Sequence, residues 1–218
     1  MHLEEGVVKF KQEFKDKLSL ESKIILELNF WRGVLYKKGL IGRDLRKYNG
    51  FGYGNVSQRL GPYSLPVNKR KFVITGSQTE HLPILNEKYY AVVHEYYPKE
   101  NLVVVGGLIQ ASSESMTHGA IYDLDYSIRS VFHIHSPQLW NYADRLGISQ
   151  TRKDVKYGTP AMTEEVHRLY KETNLRNLHI FSMGGHQDGI FTFGKNTNEA
   201  GLTLLRYLST VKKLSFSQ

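Results

Sequence analysis

The run Ser130-Val131-Phe132-His133-Ile134-His135-Ser136-Pro137 constrains the fold more than any other part of this sequence. Its β-branched and aromatic residues favour an extended strand, and Ser136-Pro137 ends it. Side chains alternate between the two faces of a strand, so His133 and His135 share one face while Phe132 and Ile134 turn into packing on the other. Two imidazoles held on one side of a rigid element meet the first need of a metal site, which is nitrogens converging on one point. Chance His-X-His pairs are common, however. In isolation the pair is better read as two partly buried histidines satisfied by hydrogen bonds.

The surrounding sequence supplies the rest of a sheet. Strands are expected at Val56–Leu60, Phe72–Thr75, Tyr89–Tyr97, Leu102–Val105, His179–Met183 and Gly189–Phe193. Apolar residues at 24, 28, 31 and 35 predict a helix within Leu18–Leu40, closed by Lys37-Lys38-Gly39. Further helices are expected at Ser112–Asp123, Gln138–Leu146 and Ala161–Glu172. A last one starts at Asn196-Thr197 and runs to about Val211. Residues 1–17 read as a charged lead, with a short helix as one option. The irregular alternation and short spacings favour a mixed or mostly antiparallel sheet flanked by helices. The expectation is a single three-layer α/β/α domain over residues 1–218, without linker or internal repeat.

Composition narrows the chemistry. The 218 residues contain no cysteine, so any metal must rest on His, Asp or Glu, and a reducing cytoplasm is compatible. The lead lacks an apolar core with a cleavage site, and no run of about eighteen apolar residues occurs. The chain therefore reads as a cytoplasmic protein without membrane contact. Its net charge of +8 is scattered; the densest short run is Lys69-Arg70-Lys71. A basic entrance steering a small anionic substrate accounts for that charge without nucleic acid as a partner.

His186 shifts the weighing of the histidine pair. It lies in Met183-Gly184-Gly185-His186-Gln187-Asp188-Gly189, where glycines permit a sharp turn close to another element. It is either a polar loop tip or a third ligand. Three histidines with an open position form a catalytic metal site. Glu114, in Ser112-Ser113-Glu114-Ser115, is explained fully as a carboxylate in the first turn of a helix capped by a serine. The same helix start could also receive an anion. His118, one turn on, is either a structural histidine or a partner of the site. No Gly-X-Ser-X-Gly elbow, phosphate loop or dinucleotide fingerprint is present.

In order along the chain stand Gly54-Asn55-Val56-Ser57, Ile74-Thr75-Gly76-Ser77, Ser112-Ser113-Glu114 with His118, and His133-Ile134-His135-Ser136-Pro137. Tyr157-Gly158-Thr159-Pro160, Gly184-Gly185-His186 and Phe193-Gly194 follow. From about Gly50 to Tyr207 this order resembles the class II aldolase/adducin family. The resemblance implies an α/β/α domain, usually assembled as a homotetramer with sites between subunits. It also implies a divalent metal, zinc or a similar ion, on His133, His135 and His186, with Glu114 as the acid/base. Manganese, cobalt and iron suit three imidazoles as well. The family's phosphate-binding positions correspond to Asn55, Gly76, Ser112 and Ser113.

Two departures stand out. The aldolase phosphate turn usually reads Thr-Pro-Thr-Gly, whereas this chain has Ile74-Thr75-Gly76-Ser77-Gln78-Thr79. His186 is followed by Gln187-Asp188-Gly189 where the family usually has Gly directly, so Asp188 orients a ligand or meets substrate. The implied activity is that of a metal-dependent lyase on a hydroxy-ketone or sugar-like substrate, cleaving through a metal-stabilised enediolate. Epimerisation or dehydration of a ketose phosphate draws on the same residues. The adducin branch, a binding or scaffold role, lacks the metal residues, all of which are present here. Among fourteen tyrosines, Tyr122 is one available proton donor for a leaving oxygen.

Overall fold

The computed structural model describes residues 8–17 and 20–216. The first seven residues of the charged lead, His2 among them, and Leu18 and Ser19 at the expected helix start lie outside the described residues.

Among the described residues, nine strands form the central sheet. In spatial order they are β1 (Lys11–Asp16), β7 (Leu102–Gly107), β6 (Tyr90–Tyr97), β5 (Phe72–Thr75), β4 (Asn55–Arg59), β8 (Ser130–His135), β11 (Gly189–Gly194), β10 (Ile180–Ser182) and β9 (Ser149–Gln150). The two outermost pairings, β1 with β7 and β9 with β10, are parallel and all the others antiparallel. A separate two-residue pair joins β2 (Gly42–Arg43) to β3 (Gly52–Tyr53). The mixed, mostly antiparallel sheet is therefore as expected.

The lead is corrected: Lys11–Asp16 is an edge strand. Its mostly charged side chains leave no period-two apolar signal, because an edge strand is held by its backbone and tolerates charge. Phe10, just ahead of it, is buried and anchors the segment in the core.

Helices cover both sheet faces. Against one lie α2 (Ser115–Leu124) and α4 (Pro160–Glu172), whose Met116, Ala120, Ile121, Met162, Val166 and Leu169 join a core with Phe72, Val131 and Phe191. In α4, positions 162, 166 and 169 recur at helical spacing, and each such burial contributes about 1.5–3 kcal/mol. Against the other face lie α1 (Leu26–Lys37), α3 (Pro137–Asn141) and α6 (Thr197–Phe216), whose core includes Leu28, Trp31, Leu35, Leu139 and Leu204 with Phe132 and Ile134. The short α5 (Leu175–Leu178) precedes β10.

Several boundaries moved for local reasons. The first helix shortens to α1 because Ser22–Ile25 winds as a tighter 3-10 turn. Ser136 accepts a hydrogen bond from the Leu139 N–H (3.3 Å), and Pro137 fills the first position of α3, which stops after one turn before a 3-10 turn at Asp144–Leu146. Asn196 caps α6 by accepting from the Glu199 N–H at 2.8 Å, and that helix extends to Phe216.

Candidate metal centre

Strand β8 runs between β4 and β11, with Asn55 and Phe191 opposite His133 and Gly189 opposite His135. This register places both imidazoles on the α2 and α4 side of the sheet centre, while Phe132 and Ile134 enter the opposite core. His133 stacks on Phe191 with ring centroids 4.5 Å apart. His135 meets Tyr48 edge-on at 4.6 Å. Both rings are therefore fixed by strand pairing and aromatic packing before any ligand binds.

His186 arrives from the loop between β10 and β11. The turn is closed by hydrogen bonds from the His186 N–H to the Met183 carbonyl (3.3 Å) and from the Gly189 N–H to the His186 carbonyl (3.1 Å). Trp140 Nε1 donates to the Met183 carbonyl (2.8 Å), and the Gly184 N–H donates to Thr151 Oγ1 (3.0 Å). A Cβ at Gly184 or Gly185 would run into the Thr151 or Val155 carbonyl, so the two glycines are needed for close approach to the 151–155 segment. The ring centroids of His135 and His186 are 4.9 Å apart and those of His133 and His186 5.4 Å. One nitrogen from each of the three imidazoles lies within 4.8 Å of the others, and all three residues are buried.

Glu114 completes the group. It precedes α2 as the residue that caps it, is 2% exposed, and holds Oε1 4.0 Å from His186 Nε2. Thr117 Oγ1 donates to its Oε2 at 2.8 Å, which fixes the carboxylate rotamer. The expected serine cap takes a different form, with Ser112 Oγ accepting from the Glu114 N–H at 3.3 Å.

Electrostatics agree with a ligand set. Burial, then His186 and His118, holds His133 well below the ordinary imidazole range, against a small opposing pull from the Ile190 backbone. Burial, then His186 and His133, does the same to His135. Both rings therefore stay neutral and keep a nitrogen lone pair for coordination. Three buried imidazoles converging on one space, with a carboxylate beside them, fit a divalent cation.

His118 lies outside this group. Its Nδ1 is 2.6 Å from Ser57 Oγ and its Nε2 2.6 Å from Asn55 Oδ1, and burial pushes its pKa down to about 3. Ser57 Oγ also lies 2.6 Å from the Tyr122 hydroxyl, whose pKa burial raises. Tyr122 is thus a fully buried member of a hydrogen-bonded row and does not line the cleft described next.

A cleft of about 850 Å³ opens beside His186. Its walls include Arg46, Lys47 and Tyr48; Lys153, Asp154, Lys156 and Tyr157; Gly184 to Asp188; and Lys9 of the N-terminal segment. Tyr48 donates to Asp188 Oδ2 at 2.7 Å, and the Asp188 carbonyl accepts from the Ser136 N–H at 2.8 Å. Both residues have left-handed backbone (φ 47° and 63°), a strain locked in place by their mutual hydrogen bond. The ring of Tyr157 lies 4.6 Å from that of His186.

None of the four expected phosphate positions lines this cleft. Asn55 sits beside His133, Gly76 pairs with Ala111 through an isolated bridge and gives its N–H to the Tyr89 carbonyl (2.8 Å), and Ser112 and Ser113 adjoin Glu114. All four are buried. Tyr48 and Lys9 carried no sequence signal, whereas Tyr157 stood in the Tyr-Gly-Thr-Pro motif without an assigned role.

Residues 43–210 match the family model described as Class II Aldolase and Adducin N-terminal domain. No curated protein matches the chain. Solved structures with a similar fold include L-fuculose-1-phosphate aldolase from Thermus thermophilus (TM-score 0.65, 17% identity, covering 90% of this chain and 95% of that one). A sugar-phosphate aldolase from Thermotoga maritima gives TM-score 0.65 at 15% identity, covering 90% and 97%. The N-terminal class II aldolase domain of a Thermoplasma acidophilum protein gives 0.58 at 13%, covering 91% and 96%.

Proposed function

Because the chain belongs to the class II aldolase and adducin family, we propose that it is a divalent-metal-dependent lyase cleaving a small hydroxy-ketone by aldol-type chemistry. The observation that carries this reading is the convergence of His133, His135 and His186 next to the fixed carboxylate of Glu114. These histidines would hold the metal, and an all-imidazole set with an open position suits zinc first. When bound, such an ion supplies Lewis acidity toward a carbonyl and its neighbouring hydroxyl.

The chain's own residues supply the proton handling. Glu114, with Oε2 occupied by Thr117, keeps Oε1 on the His186 side, where it would take up or return the proton at the carbon next to the carbonyl. Burial of the group excludes water from that exchange and strengthens its electrostatics. Tyr48 and Tyr157 border the space beside His135 and His186 and help shape the substrate pose. A cytoplasmic homotetramer belongs to the same proposal, on the strength of family resemblance.

The test is retro-aldol cleavage of a panel of ketose phosphates and free ketoses by wild type and Glu114→Gln. The variant should bind metal and melt like wild type but turn over about a thousandfold more slowly. Normal turnover by the variant would remove Glu114 from proton transfer, and unfolding would make it a structural residue of the α2 start.

A further inference from the structure

We infer that Lys9, carried by the N-terminal segment ahead of the family-matched region, binds the anionic end of the substrate in the cleft beside His186. The inference rests on the lyase reading for the word substrate, while the anion site itself stands on the cleft. Among the described residues, five cations line that cleft (Lys9, Arg46, Lys47, Lys153 and Lys156) beside the carboxylates of Asp154 and Asp188. Asp154 also faces Arg152 (3.8 Å), and Asp188 accepts from Tyr48.

Lys9 differs from the other four cations, which are exposed, in being half-buried. Its Nζ lies 3.7 Å from the centroid of the Tyr157 ring, and that ring packs on His186. A cation stacked on an aromatic face keeps its charge while being held at one place. Lys9 therefore sets a positive charge one ring away from the metal group, where an anion attached to a short carbon chain would lie. The partial burial of Lys9 strengthens that attraction over what the exposed rim charges provide.

The segment is built to hold Lys9 there. Phe10 is buried in the core next to it. The Lys9 carbonyl accepts from Asn101 Nδ2 (2.8 Å), and the Lys11 N–H donates to the Asn101 carbonyl (2.9 Å). Gln12 grips the backbone of Ala111 twice, donating to its carbonyl and accepting from its N–H, each at 3.0 Å. Ala111 leads directly into Ser112, Ser113 and Glu114, so the lysine and the carboxylate share one anchor point.

Phosphate and carboxylate are the two sources of such an anion, and the probes are inorganic phosphate and acetate. Their binding to the metal-loaded full chain is measured by calorimetry for wild type, Lys9→Met, Lys9→Arg, Gln12→Ala and Ser112→Ala. The expected result is phosphate affinity about tenfold weaker in Lys9→Met, restored in Lys9→Arg and intermediate in Gln12→Ala, with metal content unchanged throughout and melting temperature unchanged in the two Lys9 variants. Acetate competing with phosphate assigns the site to anions generally; acetate without effect narrows it to phosphate, and both support the inference. Equal phosphate affinity in Lys9→Met and wild type overturns it, as does loss of binding in Ser112→Ala alone or no binding of either anion by wild type. Failure of the lyase reading would show separately, as absent cleavage with Lys9-dependent phosphate binding intact.

Discussion

The centre of the sheet and the rim of the cleft solve the same positioning problem differently. At the centre, His133 and His135 are fixed by strand pairing on both sides and by the Phe191 and Tyr48 rings. At the rim, His186, Tyr48, Asp188 and Lys9 come from loops or an edge segment, held by a glycine-dependent close approach, left-handed backbone and a few hydrogen bonds. The centre is neutral and buried, the rim cationic and open. Two of the three converging imidazoles thus rest on the rigid sheet, while the loop scaffold brings the third, His186, to them beside the cationic entrance.

The sharpest way to break this contrast is Gly184→Ala. The new Cβ meets the Thr151 carbonyl, a backbone atom that cannot swing aside, so the loop carrying His186 must shift. The expected loss is about 3 kcal/mol of stability in denaturant unfolding, with metal retention falling as the third ligand moves. A stable, fully metal-loaded variant would show that the loop is more forgiving than its packing indicates.

A smaller effect comes from His118→Gln, which probes the centre. Folding depresses the pKa of His118 from 6.5 to about 3, so between those values the unfolded chain binds a proton that the folded chain refuses. The His118 contribution is fully present above pH 6.5 and is lost as pH falls toward 3, because the unfolded state is increasingly favoured. In urea unfolding from about pH 7 to about pH 4, the variant should be somewhat less stable at neutrality and lose stability less steeply with acid. His133 and His135, depressed in the same direction, keep the remaining slope above zero. An unchanged slope would mean that His118 is protonated in the folded protein.

The same division explains what could be read from the sequence. Strand β8 was legible because alternation fixes the faces of His133 and His135 whatever the rest of the fold does. The helix positions of α4 and the core of α1 were legible for the same periodic reason. Strand β1 was not, since Lys11–Asp16 is polar and pairs through its backbone with the edge of β7. Tyr122 looked available as a proton donor, but its hydroxyl is enclosed with Ser57 and His118. Tyr157 lies more than one hundred residues along the chain from both Tyr48 and Lys9, and no local pattern announces that the three line one cleft. Glu114 shows the limit from the other side: its residue type fits a helix start fully, and only its 4.0 Å approach to His186 brings it to the metal group.

The most direct test of the metal centre is the metal content of tag-free protein, wild type beside His135→Ala, with circular dichroism to establish folding. Near-stoichiometric divalent metal is expected in wild type, with loss of most of it in a variant that remains folded, because one of three converging imidazoles is gone. A wild type that stays empty and refuses added zinc or manganese, or a variant that holds metal as well as wild type, would contradict the assignment.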